Sequence, residues 1–118
     1  MAVLLYSENP EEALAVFVKA VQGFLTKTWS HTTMSKAQWF THTGDQWHQA
    51  AWFKAIPSAK GVTFVLLSNG GVEAPVTRKL YNLYHGQFVY SLLEHTHMHV
   101  TQISATANPL KNESRIEK

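Results

Sequence analysis

The stretch MAVLLYSENPEEALAVFVKAVQGFL, residues 1–25, decides the fold class, because its hydrophobic period changes once and capping residues mark the change. Residues 1–7 are short, apolar and closed by a polar turn, which reads as a strand. Asn9 then supplies an N-cap, Pro10 occupies the first helical position, and Glu12 stands three residues after the cap to complete a capping box. Beyond it Leu14, Phe17, Val18, Val21 and Phe24 or Leu25 recur on one face at helical spacing. The helix is expected to end near Lys27, where a cation suits the exposed carbonyls.

Working outward, the period changes to that of strands between Thr28 and Asn69. Turn signals at THTGDQW (41–47) and PSAKG (57–61) separate predicted strands at 31–42, 46–56 and 62–68. In the second of these, alternation puts Trp47, Gln49, Ala51, Phe53 and Ala55 on one side. His48, Ala50, Trp52, Lys54 and Ile56 go to the other, so each side carries a large aromatic.

After NGGVEAP (69–75) a second helix is expected over roughly 75–95, with Tyr81, Tyr84, Phe88, Leu92 and His95 in one stripe. Leu80, Leu83, Val89 and Leu93 widen its apolar arc past half the circumference, which predicts cover on more than one side. Gly86 in its middle costs about 1 kcal/mol against alanine and reads as a close-packing position. A last strand at 99–107 ends before Pro109. The order is β-α-β-β-β-α-β, an α+β two-layer sandwich with a mainly antiparallel sheet and two helices on one face. A ferredoxin-like plait with an extra strand fits it first. Residues 1–109 form the single domain in this reading, and 110–118 a polar, flexible C-terminal tail.

Composition narrows the chemistry. The chain has 118 residues, 45% of them hydrophobic and 15% charged, enough for one domain with one core. No cysteine is present, which removes thiolate catalysis, disulfides and cysteine-ligated metals, and agrees with a cytoplasmic location. No apolar run approaches the roughly 20 residues of a membrane span. The start lacks the basic flank and small-residue cleavage site of a secretion signal. From residue 13 to 110 the acids are Asp45, Glu73 and Glu94, leaving few carboxylates for acid–base work. No nucleophile elbow or paired-carboxylate arrangement is legible, so no catalytic residue and no cofactor is assigned.

Three groups of residues are candidate sites. The aromatic and histidine set Trp39, His42, Trp47, His48 and Trp52 belongs to a chain stretch that holds four tryptophans in 24 residues, counting Trp29. If helices shield one face of the sheet, such a set on the other face resembles an interface or pocket lining. Asn69, Gly70 and Gly71 precede a helix and form a weak anion-binding candidate, lacking the lysine and hydroxyl of a phosphate loop. His95, His97 and His99 could ligate a metal only if extended together. The helix pattern runs through His95, so a capping or surface role is preferred and no metal is assigned.

The reading favoured by these features is a non-enzymatic interaction domain, a homodimer formed through an aromatic-rich sheet face. The alternative is a small enzyme or binder of a hydrophobic or aromatic ligand, with a pocket between sheet and helix and His42, His48 or His85 as acid–base. Single-stranded nucleic-acid binding ranks third: the pI is near 9.0, but the bases are scattered and the high pI reflects scarce acids.

Overall fold

The computed structural model describes residues 2–23, 28–44, 47, 49–68 and 75–116. It is α+β, with β1 (Val3–Tyr6), α1 (Pro10–Gln22), β2 (Trp29–Met34), β3 (Ala37–His42), β4 (Ala51–Pro57), β5 (Gly61–Ser68), α2 (Arg78–Thr96) and β6 (Gln102–Ala105). The six strands make one open sheet in the order β2-β3-β4-β5-β1-β6, antiparallel at every junction. No helix among the described residues is long and apolar enough to cross a membrane.

The first helix starts as its sequence dictates. Asn9 Oδ1 accepts from the Glu12 amide at 3.4 Å, but the expected capping box is not closed on the main chain: Glu12 Oε2 accepts from Asn9 Nδ2 at 2.9 Å, and the Asn9 amide donates to Ser7 Oγ at 3.0 Å. It stops at Gln22, short of the expected Lys27, and the Gly23 amide closes the last turn onto Lys19 O at 2.9 Å. The second helix begins at Arg78, not 75, because Thr77 caps it by accepting from the Leu80 amide. Likewise β6 covers only Gln102–Ala105 of the expected 99–107, since the chain is still turning at His97–His99.

One expected strand is really two. Residues 31–42 fold back on themselves, with Met34 opposite Ala37 and Ser35 and Lys36 forming the turn at φ 52° and 64°. Two successive positive φ values suit the right-handed twist of a tight hairpin, but glycine or asparagine normally signals them. With neither present, the turn was not legible, and the element order becomes β-α-β-β-β-β-α-β. The strand expected from residue 46 starts at Ala51, because the Ala50 amide turns back to Trp47 O at 3.1 Å and Gln49 has φ 55°.

Both helices pack on the same face of the sheet. Phe17 of α1 and Phe88 of α2 touch each other at 5.4 Å between ring centroids, and both touch Phe40 of β3. Phe88 also meets Trp29 of β2 at 4.9 Å, Phe64 of β5 at 4.9 Å and Phe53 of β4 stacked at 4.2 Å. Alternation supplies the rest of the layer: Val3 and Leu5, Ala51 and Ala55, Val62 and Leu66 all point inward and are buried. Where β1 crosses β5, Gly61 is required, since a Cβ there would stand 2.2 Å from Leu5 O.

Part of the segment 110–116 is packed as well. β1 covers β5 only as far as Phe64, and the C-terminal segment takes over that edge. The Leu66 amide donates to Glu113 Oε2 at 2.7 Å, Ser114 donates from its amide to Leu66 O at 2.9 Å, and the Ser68 amide donates to Ser114 Oγ at 2.8 Å. Glu113 and Ser114 are buried, and burial pushes the Glu113 carboxyl above its ordinary range. The packed body therefore runs to Ile116 and not to 109, held by polar and main-chain bonds that leave no hydrophobic pattern.

Two stability measurements follow from this packing. Phe88→Ala should lower the unfolding free energy by about 3–5 kcal/mol in a denaturant titration, the range for deleting a buried aromatic. Replacing Ser35-Lys36 by Asn-Gly should raise it by about 1–2 kcal/mol, because left-handed backbone costs an ordinary residue that much.

Candidate functional site

Strand register sorts the tryptophans. Trp29 pairs with His42 and faces the helices, where it is 2% exposed and lies edge-on to Phe88 and Tyr84. One residue out of phase, Trp39 faces the opposite side, in a row that runs Thr32–Trp39–Lys54–Val65 across β2, β3, β4 and β5. Trp52 shares that side and pairs with Leu67. Ile56 pairs with Thr63, which is flanked in turn by Leu4 of β1 and then Ser104 of β6. Tyr6, 40% exposed, continues the surface beside Gln102.

The result is a sheet face covered by neither helix. Its centre is apolar and aromatic, from Trp39, Trp52, Ile56, Leu67 and Leu4 over a buried Val65, and its margins carry Ser30 and Thr32 on β2 and Gln102 and Ser104 on β6, with Met34, 56% exposed, at the hairpin end. That distribution is the one found at protein interfaces, apolar in the middle and polar at the rim. Trp39 is held by its indole N–H, which donates to Met34 O at 3.2 Å, and Lys54 Nζ lies 5.6 Å from its ring centroid. The lysine thus lays its aliphatic stem along the face with its charge over an aromatic ring, where it is attracted to the π-electrons.

The other members of the sequence-derived set do not join this face. His42 is on the helix side and 7% exposed. Its Nδ1 accepts from the Gly44 amide at 2.9 Å, so the proton sits on Nε2, which faces Gln87 Oε1 at 2.5 Å. Gly44 permits this, as a Cβ there would come within 2.8 Å of the imidazole. Trp47 lies in the turn before β4, packed against the core margin, and its carbonyl accepts from Tyr84 Oη at 2.5 Å. His48, Asn69, Gly70 and Gly71 lie outside the described residues. Reasoning from sequence left out Leu4, Tyr6, Ile56 and Leu67 as site members, although period-two alternation within VTFVLLS would have exposed the last of them.

The three C-terminal histidines are not on one extended face. His95 belongs to the last turn of α2, His97 is its cap with Nδ1 3.0 Å from Leu93 O, and His99 follows with Nδ1 3.8 Å from Glu12 Oε1. Among the described residues no group of three or more His, Asp or Glu side chains is placed to hold a metal ion.

His85 is the most deeply placed imidazole, 1% exposed between Tyr81 and Phe53. Its Nδ1–H donates to Tyr81 O at 2.6 Å, while Nε2 is buried with no hydrogen-bond partner. Burial lowers its pKa from 6.5 to about 2, so it is a neutral ring that resists the proton an acid–base catalyst would have to accept. The consequence for stability has a definite sign. The unfolded chain binds a proton here below pH 6.5 and the folded one does not until about 2, so this contribution is complete above 6.5 and is lost as the pH falls. Denaturant unfolding from pH 6 to pH 4 should show about 1.4 kcal/mol lost per pH unit from this residue, and His85→Leu should remove that slope. No protein-family model matches the chain, and no curated protein or solved structure matches it.

Proposed function

We propose that this chain is a non-enzymatic interaction domain whose open sheet face is occupied by a second copy of itself. The observation that carries the reading is the set Trp39, Trp52, Ile56, Leu67 and Leu4 on the side of the sheet that neither helix covers. Six strands about 4.8 Å apart and some six residues long offer roughly 24 by 20 Å, which with side-chain relief approaches the ~800 Å² per partner of a standard interface. A face with one lysine at its centre and hydroxyl and amide groups at its edges contains no like-charge cluster to oppose self-pairing about a two-fold axis.

The fold is read as a ferredoxin-like plait enlarged by a hairpin. Setting β2 and β3 aside leaves β4-β5-β1-β6 with α1 and α2 as the two crossovers, and the hairpin widens the sheet at the β4 edge. This widening supports the interface reading, since it is the hairpin that brings Trp39 beside Lys54. The cysteine-free composition fits a cytoplasmic setting. A pocket between sheet and helix has less support, because Phe17, Phe40, Phe53, Phe64, Tyr84 and Phe88 fill that space.

Light scattering at about 10 μM should give twice the 13.3 kDa chain mass. Trp39→Ser with Trp52→Ser should reduce it to one chain mass with the far-UV spectrum unchanged. A wild-type monomer, or a double variant with wild-type mass, would remove the reading. A thermal-shift screen with aromatic and lipid-like compounds and an oligothymidine at low salt tests for other occupants, and stabilisation by one of them with no dimer would replace the second copy.

A further inference from the structure

The outer side of α2 is the molecule's second uncovered apolar surface, and it differs in kind from the sheet. The helix buries Leu80, Tyr81, Tyr84, His85, Phe88, Ser91 and Leu92 toward sheet and α1. Half a turn away, Lys79, Leu83, Gly86, Tyr90, Leu93 and His97 follow one another at alternating spacings of four and three. That is the spacing of a seam that meets another helix lengthwise. Leu80 is buried and Leu83 and Val89 pack in part against the core, but Tyr90 is 68% exposed and Leu93 49%, so the described residues cover only part of the helix's apolar arc.

Gly86 sits in the middle of this seam. A Cβ built there would meet nothing within 4 Å, so among the described residues the glycine serves no packing inside the domain. In an exposed helix interior it is nevertheless the costliest residue short of proline. A glycine there lets another backbone come close.

We propose that the outer seam of α2 pairs antiparallel with the same seam of a second copy, crossing at Gly86. A two-fold axis between Gly86 and Gln87 sets Tyr90 of each copy against Leu83 of the other. The same axis sets Glu94 against Lys79 of the second copy, giving two opposite-charge pairs at the ends of an apolar centre. The pairs Leu83–Tyr90 and Lys79–Glu94 are therefore complementary to their own two-fold image, the condition for an isologous contact, while Leu93 and His97 lie beyond the paired part of the seam. Antiparallel helices also oppose their dipoles.

The contact is the smaller of the two faces. A helix of 19 residues is about 28 Å long and offers one ridge, well below a standard interface. It should form at higher concentration than the sheet contact. Because the seam points away from the sheet, isologous contacts on both faces do not close. They build an open series of even-numbered species that lengthens with concentration.

The experiment is light scattering from 10 μM to 500 μM on four chains: wild type, Trp39→Ser/Trp52→Ser, Gly86→Gln and the triple variant. The wild type should exceed the dimer mass at the upper end, and Gly86→Gln should stop at dimers. The double tryptophan variant should dimerise only at high concentration, and the triple variant should stay monomeric throughout. A tryptophan variant that is monomeric at 500 μM, or that associates equally with Gly86→Gln, overturns the seam and leaves the sheet reading intact. Association insensitive to the tryptophans but abolished by Gly86→Gln would reject the sheet reading and keep the seam.

Two further readouts guard against a misfolded variant. In the monomeric background Gly86→Gln should raise the melting temperature by roughly 2–6 °C, since glutamine is the better helix former. A lowered melting temperature would mean that Gly86 serves the chain's own packing and would overturn the proposal. Glu94→Lys should weaken the high-concentration association about fivefold to tenfold, and adding Lys79→Glu should restore it. Failure of that rescue would overturn the antiparallel register.

Discussion

Phe88 is the contact on which the rest of the structure depends. Its ring touches Phe17 of α1 and one aromatic from each of β2, β3, β4 and β5, at centroid distances from 4.2 to 5.7 Å. Four strands distant in the chain are thereby held at one height against one helix. Aromatic rings bury a large area each and prefer offset-stacked, tilted or edge-on neighbours; Phe53 stacks on Phe88 and the other four meet it tilted or edge-on. The helix layer is anchored to the sheet at that point, and the inward parity of β2, β3, β4 and β5 follows from it.

Parity then decides which tryptophans can work as a surface. A strand sends successive side chains to opposite faces, so Trp29 and Trp39, on neighbouring strands and an odd number of register positions apart, face opposite sides. Trp29 joins the Phe88 cluster and Trp39 is sent outward. The same alternation carries Phe53 inward and Trp52 outward within one dipeptide. Because both helices lie on the Phe88 side, neither of them covers the outward group. The histidines divide on the same grounds. His42 and His85 have been drawn into the helix side, where one is fixed by an amide and a glutamine and the other is kept neutral by burial, and neither faces the open sheet.

Two surfaces of opposite geometry result from this architecture. The sheet presents a broad plane with an aromatic middle, suited to a large contact, while α2 presents a narrow ridge notched at Gly86.

Much of this was legible in local sequence, where neighbours along the chain carry the information. The Asn9–Pro10–Glu12 cap, the stripe through Phe17 and Val21, the stripe through Tyr81, Tyr84 and Phe88, and the alternation across Ala51–Ile56 each rest on one period and one capping group. They determined the α+β class and the presence of two helices. Only tertiary structure decided the rest. The hairpin at Ser35-Lys36 has no turn residue to announce it and exists because pairing β2 with β3 outweighs two strained dihedrals. Docking of Glu113 and Ser114 depends on the edge of β5 that β1 leaves open, and no hydrophobic spacing encodes a bond to a backbone amide some 47 residues away. The side of the sheet on which each tryptophan falls is likewise a matter of register against strands remote in sequence, and register is a property of the assembled sheet.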